Sequence, residues 1–127
     1  MEQVAKTDYY ELNRDEAKNR AFFTFIGFWK DESVVPNFYN DCIKLLNSMK
    51  PGFTLLANLK NLKTPPQDIV DLFTKVQLAI IEKGVSKSAE VVDSMLVKVN
   101  VDESSDASGI QKRQFDNISD ALTWLDT

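Results

Sequence analysis

Residues 20–29, with the sequence RAFFTFIGFW, restrict the fold more than any other part of the chain. Aromatic and β-branched side chains occupy both alternating faces of this segment, which is typical of a β-strand covered on both sides. Residues 8–13 alternate instead, with Tyr10 and Leu12 on one face, as expected of a half-exposed strand. Because a polar stretch turns the chain between the two segments, we predict that they form an antiparallel hairpin.

Helical periodicity appears three times in the rest of the chain. Apolar residues three and four positions apart predict helices at about residues 36–49, 65–84 and 117–126. Pro65 and Pro66 fit only at the start of the second helix, since a proline inside a helix removes a hydrogen bond and clashes with the preceding turn. Asn117 is expected to cap the third helix, with Asp120 three residues later.

Short segments between these helices predict three further strands, at residues 53–59, 88–93 and 112–116, of which only the last is polar. The first of them is expected in the centre of a sheet and the last at an edge. Residues 93–103 fit two patterns, because the alternation of Val97, Val99 and Val101 favours a strand while Met95 and Val99 share a helical face.

The order of these elements implies an α/β fold. An initial hairpin followed by alternating helices and strands gives a mixed sheet, whose parallel strands are joined by right-handed helical crossovers. Residues 1–7 are predicted to be a flexible tail and residues 8–127 a single domain, a size that can bury one hydrophobic core.

Composition narrows the classes of function. The net charge of −4 and the pI near 4.8 repel phosphate backbones, so we expect no binding of nucleic acid. Cys42 is the only cysteine, which fits a reducing compartment. We find no secretory signal pattern and no apolar run of membrane-spanning length, so we expect a cytoplasmic protein without an integral membrane segment.

The chain contains no histidine. Imidazole-based catalytic triads, most zinc sites and proton shuttles tuned near neutral pH depend on that side chain. The neighbouring carboxylates of the chain, such as Asp31 and Glu32, lie in polar loops where the sequence shows no cause for a pKa shift. We therefore expect no enzyme activity, no cofactor and no metal, and we interpret Cys42 as a core residue because it shares a helical face with Phe38 and Leu46.

Three segments carry a resemblance to a known family. Residues 8–29 look like paired opening strands, residues 46–63 (LNSMKPGFTLLANLKNLK) like a helix that leads into a central strand, and residues 114–126 (QFDNISDALTWLD) like a closing helix. Together they resemble small bacterial domains of the STAS-like, anti-sigma-factor-antagonist-like superfamily, whose core is also similar to the CRAL-TRIO lipid-transfer fold. The resemblance implies a mixed sheet of four or five strands, with helices packed chiefly on one face and a helix near residues 93–103.

The turn after the central strand is the candidate functional site. In STAS proteins this turn carries a serine that a partner kinase phosphorylates, but the corresponding positions here are Pro66, Gln67 and Asp68, so the phosphorylation switch cannot be transferred. Thr64 is interpreted as a helix cap, with phosphorylation as the alternative. Either Phe28 or Trp29 is expected to be an exposed anchor, although core packing is the plainer interpretation. The predicted partner-binding residues are Lys60, Lys63, Thr64, Gln67, Asp68 and Trp29.

Two functions are consistent with these observations. The resemblance and the lack of catalytic groups favour a non-enzymatic regulatory module that docks a partner protein through the turn. The alternative is a carrier of a lipid or other small apolar ligand, which the CRAL-TRIO likeness and the aromatic-rich second strand suggest. An exposed edge strand or aromatic patch makes a homodimer compatible with either function.

Overall fold

The computed structural model describes residues 1–93 and 111–127. These ranges contain six strands: β1 (Glu2–Lys6), β2 (Tyr10–Asp15), β3 (Arg20–Gly27), β4 (Thr54–Leu62), β5 (Lys87–Val91) and β6 (Gln111–Phe115). They also contain three α-helices: α1 (Phe38–Asn47), α2 (Gln67–Glu82) and α3 (Ile118–Leu125). A short 3₁₀ helix, Glu32–Val34, precedes α1. Of residues 93–103, for which a strand and a helix were both considered, only Asp93 is among the described residues. The prediction for that segment therefore lies outside the described part of the chain.

The strands form one mixed sheet in the order β1-β2-β3-β4-β5-β6. The pairs β1–β2 and β2–β3 are antiparallel, whereas the pairs β3–β4, β4–β5 and β5–β6 are parallel. The predicted opening hairpin is therefore confirmed as β2 and β3, and β4 lies inside the sheet as expected. Within the described ranges, β6 forms one edge.

The expectation of four or five strands is wrong, because the described sheet has six. The additional strand is β1, formed by residues that were expected to be a flexible tail. Val4 and Ala5 of this strand pack against the core, and backbone pairing with β2 holds the polar residues around them. A segment this polar has too little apolar periodicity to indicate a strand, so its structure depends on the neighbouring strand.

Two apolar layers lie on opposite faces of the sheet. On one face, α1 and α2 pack against the side chains of β2, β3 and β4, including Leu12, Phe23 and Leu55. On the other face, Ala121 and Leu125 of α3 pack with β4 and β5. Because successive residues of a strand point to opposite faces, β4 contributes alternately to both layers. Two of the three described helices thus share one face.

The helix boundaries follow the local chemistry of the sequence. Pro66 is the N-cap of α2, with φ −72° and ψ 170°, so the prolines precede the helix as predicted. Gly84 follows the C-terminal end of α2 and has φ +95°, a conformation that favours glycine. Asn117 caps α3 as predicted, since its side chain accepts a hydrogen bond of 2.8 Å from the Asp120 amide.

Asn19 connects two turns at the amino end of β3 and β4. It has φ +52°, in the left-handed region. Its side-chain amide forms two hydrogen bonds of 3.0 Å with the backbone of Lys50, donating to the carbonyl and accepting from the N–H. Its own carbonyl accepts a hydrogen bond of 3.1 Å from the Thr54 amide at the start of β4. Asn19 therefore connects the β2–β3 turn with the end of the α1–β4 connection through its side chain, and with the start of β4 through its backbone carbonyl.

Substitutions at Asn19 separate the contribution of its side-chain hydrogen bonds from that of its left-handed backbone conformation. Asn19→Gly retains the left-handed backbone but loses both amide bonds, so we expect the free energy of unfolding to fall by about 1–2 kcal/mol. Asn19→Ala loses the same bonds and adds left-handed strain, so we expect a loss of about 2–3 kcal/mol. Urea denaturation measures both values. Equal losses for the two variants would show that the left-handed conformation contributes nothing.

Arg20 is a buried charged residue, with 4% of its surface exposed. Its Nε donates a 2.9 Å hydrogen bond to Thr54 Oγ1, and its guanidinium donates a 2.8 Å bond to the carboxylate of Asp126, just after α3. This hydrogen bond holds the pKa of Asp126 below its usual range, with a further contribution from the charges of Arg20 and Lys18. The contact attaches the end of the described chain to the start of β3.

The Arg20–Asp126 contact predicts a pH-dependent stability. Because the folded state lowers the pKa of Asp126, the stabilisation is complete above the unfolded value of about 3.9 and disappears as the pH falls through the folded value. Asp126→Asn is therefore expected to be less stable than wild type at pH 7, with the difference vanishing in acid. Thermal unfolding from pH 7 to pH 2 measures this, with Asp8→Asn as the control. A difference that is independent of pH would rule out the charge as its cause.

Candidate functional site

The turn predicted as the functional site lies beside the end of β3. β3 and β4 are parallel, so their carboxyl ends meet at the same edge of the sheet. Gly27 pairs with Leu62, and the Lys63 amide donates a 2.9 Å hydrogen bond to the Gly27 carbonyl. We call residues 26–30 and 60–68 together the carboxyl edge.

Trp29 does not belong to the exposed part of this edge, and its prediction as a partner-binding residue is wrong. The side chain has 0% of its surface exposed, and its indole Nε1 donates a 3.1 Å hydrogen bond to the Ile26 carbonyl. Phe28 is instead 50% exposed. The sequence places two large aromatic residues side by side, and the packing of the helices decides which of them is buried.

The indole of Trp29 is buried among five aromatic rings, of which Tyr9 is the most distant with its centroid 6.4 Å away. The ring centroids of Tyr10, Phe25, Phe38 and Phe73 lie 5.9, 5.4, 5.0 and 5.2 Å from that of Trp29. These four rings come from β2, β3, α1 and α2. Removing a buried tryptophan side chain typically costs about 3–5 kcal/mol. Trp29 therefore holds the chain after β3 in place and leaves Phe28 facing solvent.

The two lysines expected at the turn are exposed. Lys60 lies within β4, where the pairing with β3 shifts register between Thr24 and Ile26, so that β4 carries an extra residue there. Lys63 follows the last residue of β4. The ammonium groups of both residues form no ion pair in residues 1–93 and 111–127. Both are therefore available to a partner.

Thr64 is exposed, but it does not cap α2, so that interpretation is wrong. The extended Pro65–Pro66 segment places the N-cap at Pro66, which has no side-chain hydrogen bond to offer. Asp68 lies half-buried in the first turn of the helix, where its charge is favourable to the helix dipole. Gln67 is exposed, and its Nε2 donates a 2.9 Å hydrogen bond to Asp71 Oδ1.

A small cavity lies between the sheet and α2. Its volume is about 90 Å³, and aromatic and aliphatic side chains form most of its wall, with Ser88, Gln77 and Glu90 as the polar lining. Glu90 is engaged by Lys112 at 3.6 Å and by Gln114 at 3.3 Å. Pockets for drug-sized ligands usually measure about 300–1,000 Å³. The cavity thus gives no support to the carrier function, which stays a prediction.

Two groups near the carboxyl edge have pKa values that hydrogen bonding and burial shift away from neutral pH. Hydrogen bonds from the Ser33 side chain and amide lower the pKa of Asp31. Burial, reinforced by a 2.6 Å hydrogen bond to Asp41, raises the pKa of Tyr10. In residues 1–93 and 111–127, no three carboxylates or thiols come together where they could hold a metal ion.

Comparison with known proteins identifies the fold. The sequence matches no family model and no curated protein. A crystal structure of an uncharacterised DUF3478-family protein from Shewanella loihica PV-4, described as having a SPOIIAA-like fold, is similar with a TM-score of 0.60. The similarity covers 95% of this chain and 97% of that chain at 13% sequence identity. The chain thus has a STAS-like fold, as the resemblance implied.

No helix of the described ranges is both long and apolar enough to cross a membrane.

The structure adds Phe28 to the candidate site, which the sequence analysis named with Trp29 as one of two possible exposed anchors. Phe28 takes the exposed position that was assigned to Trp29, and Ile26, 37% exposed, lies two residues before it. The adjacent pair in the sequence indicated an anchor at this point. The choice between the two rings depends on Gly27, whose φ of +79° redirects the chain at the end of β3, and on the aromatic residues around Trp29.

Cys42 is a core residue, as its place on the helix suggested. It lies on α1 with 0% of its surface exposed. Burial raises the pKa of its thiol, and the neighbouring charge of Asp41 acts in the same direction. Because the thiolate is the reactive form, both effects suppress nucleophilic chemistry.

Ellman's reagent tests the state of Cys42. In native buffer at pH 8 we expect labelling at least about 100-fold slower than in urea, because the thiol must first become exposed through local or global unfolding. Absorbance at the thionitrobenzoate band measures both rates. Free cysteine added to the native protein is the control for reagent activity. Labelling at the rate of free cysteine would contradict the buried position.

Proposed function

We propose that this chain is a non-enzymatic regulatory module that docks a partner protein through the carboxyl edge. The observation that carries the proposal is the exposure of Phe28, half of whose surface is accessible. Phe28 directly follows Gly27, whose carbonyl accepts a hydrogen bond from the Lys63 amide. A large apolar ring beside exposed polar groups is the usual composition of an interaction hot spot.

The support of Phe28 suits it to this role. A partner gains most from an anchor that is already ordered, because less conformational entropy is lost on binding. Trp29 is buried directly after Phe28, and the Lys63–Gly27 hydrogen bond fixes the backbone directly before it. The residues on both sides of the anchor are therefore held in place.

The STAS-like fold is consistent with a regulatory role at this location. The resemblance places the regulated serine of STAS proteins in the turn after the central strand, and β4 is that strand here. Pro66, Gln67 and Asp68 offer no hydroxyl at the corresponding positions. We infer that docking at this edge does not depend on a phosphorylated serine, and that Asp68 supplies a constant negative charge.

Site-specific photo-crosslinking tests the docking surface. Benzoylphenylalanine at position 28, introduced into the chain in its native cells, is expected to yield a discrete adduct with one partner. The matched control is the same residue at Ile118, which is 44% exposed on α3. Phe28→Ala is then expected to weaken binding of the captured partner at least about 10-fold, as hot-spot truncations do, whereas Ile118→Ala changes it less than about 2-fold.

Two outcomes would reject the docking surface. The first is an equal adduct from positions 28 and 118, which would show contact without preference for the carboxyl edge. The second is a captured partner that binds the Phe28→Ala variant as tightly as wild type. Circular dichroism of each variant checks that the fold is retained.

A further inference from the structure

The β4 lysines of the carboxyl edge lie on the side of the sheet opposite α1 and α2. Leu59 and Leu62 pack against the core under these helices. Because successive side chains of a strand point to opposite faces, Lys60 and Lys63, which directly follow the two leucines, are directed to the other side. Both lysines are exposed, and their ammonium groups form no ion pair in residues 1–93 and 111–127. We call this the lysine side of the edge.

The other charges on the lysine side do not cancel those of Lys60 and Lys63. Lys6 and Glu11 are partners across β1 and β2, so their charges offset each other. Asp8 is exposed in the β1–β2 turn, and β3 lies between that hairpin and β4. The lysine side is therefore positive near β4.

The carboxylates at and beside the carboxyl edge lie on the side that carries the helices. Asp68 and Asp71 are in the first turns of α2. Asp31 caps the 3₁₀ helix that begins at Glu32, and this helix contacts α2. Lys30 interacts electrostatically with Asp31, but the carboxylates outnumber it. We call this negative part of the surface the carboxylate side.

Phe28 lies between the two sides. Trp29 enters the core under the helices, whereas Ile26 follows the buried Phe25 and is directed to the lysine side. An exposed ring therefore stands where the sign of the surface charge changes. A partner with a single sign of charge would be attracted on one side and repelled on the other. A second copy related by a two-fold axis instead places each lysine side against a carboxylate side.

We propose that the carboxyl edge binds a second copy of the chain in an isologous dimer, with the two Phe28 rings near the two-fold axis. Lys60 and Lys63 of each copy would face Glu32 and Asp71 of the other. This inference rests on the proposed docking function and specifies the partner.

Sedimentation velocity of the purified chain tests the proposal. We expect a concentration-dependent dimer, which Phe28→Ala weakens at least about 10-fold. Lys60→Glu/Lys63→Glu makes both sides of the edge negative, and Glu32→Lys/Asp71→Lys makes both positive, so each variant alone should also dimerise at least about 10-fold more weakly. An equimolar mixture of the two variants should recover the dimer, because opposite charges then meet at both contacts.

The matched control is Lys44→Glu/Lys50→Glu. It has the same net charge as Lys60→Glu/Lys63→Glu but changes exposed lysines outside the edge. We expect it to retain the wild-type dimer within about 2-fold, because surface charges far from an interface are strongly screened. Circular dichroism checks that every variant is folded.

Each alternative result overturns a defined part of the proposal. A wild-type chain that is still monomeric at about 100 μM would reject the second copy as partner. If the crosslink at position 28 then captured a different protein, the docking function would stand and only the identity of the partner would fail. A dimer that Phe28→Ala leaves unchanged, or a mixture of the charge variants that dimerises no better than either alone, would place the dimer contact elsewhere.

Discussion

The packing of Trp29 among the aromatic rings of β2, β3, α1 and α2 is the contact on which the rest of the structure depends. Phe38 of α1 and Phe73 of α2 meet the sheet here, with their ring centroids 5.9 Å apart. Phe25 stacks on Phe73 at 5.1 Å with an interplanar angle of 8°. Aromatic pairs of this kind stabilise a core beyond the burial of their surface. One cluster therefore fixes both helices on their common face of the sheet.

The same cluster determines the candidate site. The carboxyl edge exists because β3 and β4 run in parallel, and parallel strands end at the same side of a sheet. Once Trp29 is inserted into the core, the residue before it must face solvent. A core contact thus presents Phe28, and the backbone bond between Lys63 and Gly27 brings the basic turn beside it. Stability and the proposed binding surface share one cause.

Sequence reasoning was most successful where local chemistry is decisive. The helical stripes of α1 and α2, the proline start of α2 and the Asn117 cap were all visible, because each depends on residues within a turn or two of one another. It failed for Thr64, since two consecutive prolines shifted the cap to Pro66. It failed for β1 because the polar residues of that strand gain their structure from pairing with β2.

The sequence by itself determined the class of fold, the order of most strands and helices, and the place where the turn after the central strand lies. Periodicity and caps are local properties, so one chain is enough to read them. Only the tertiary structure decided that Trp29 is buried and Phe28 exposed, that β1 completes the sheet, and that Arg20 reaches Asp126. Those outcomes depend on contacts between segments far apart in the chain, and local patterns carry no information about such contacts.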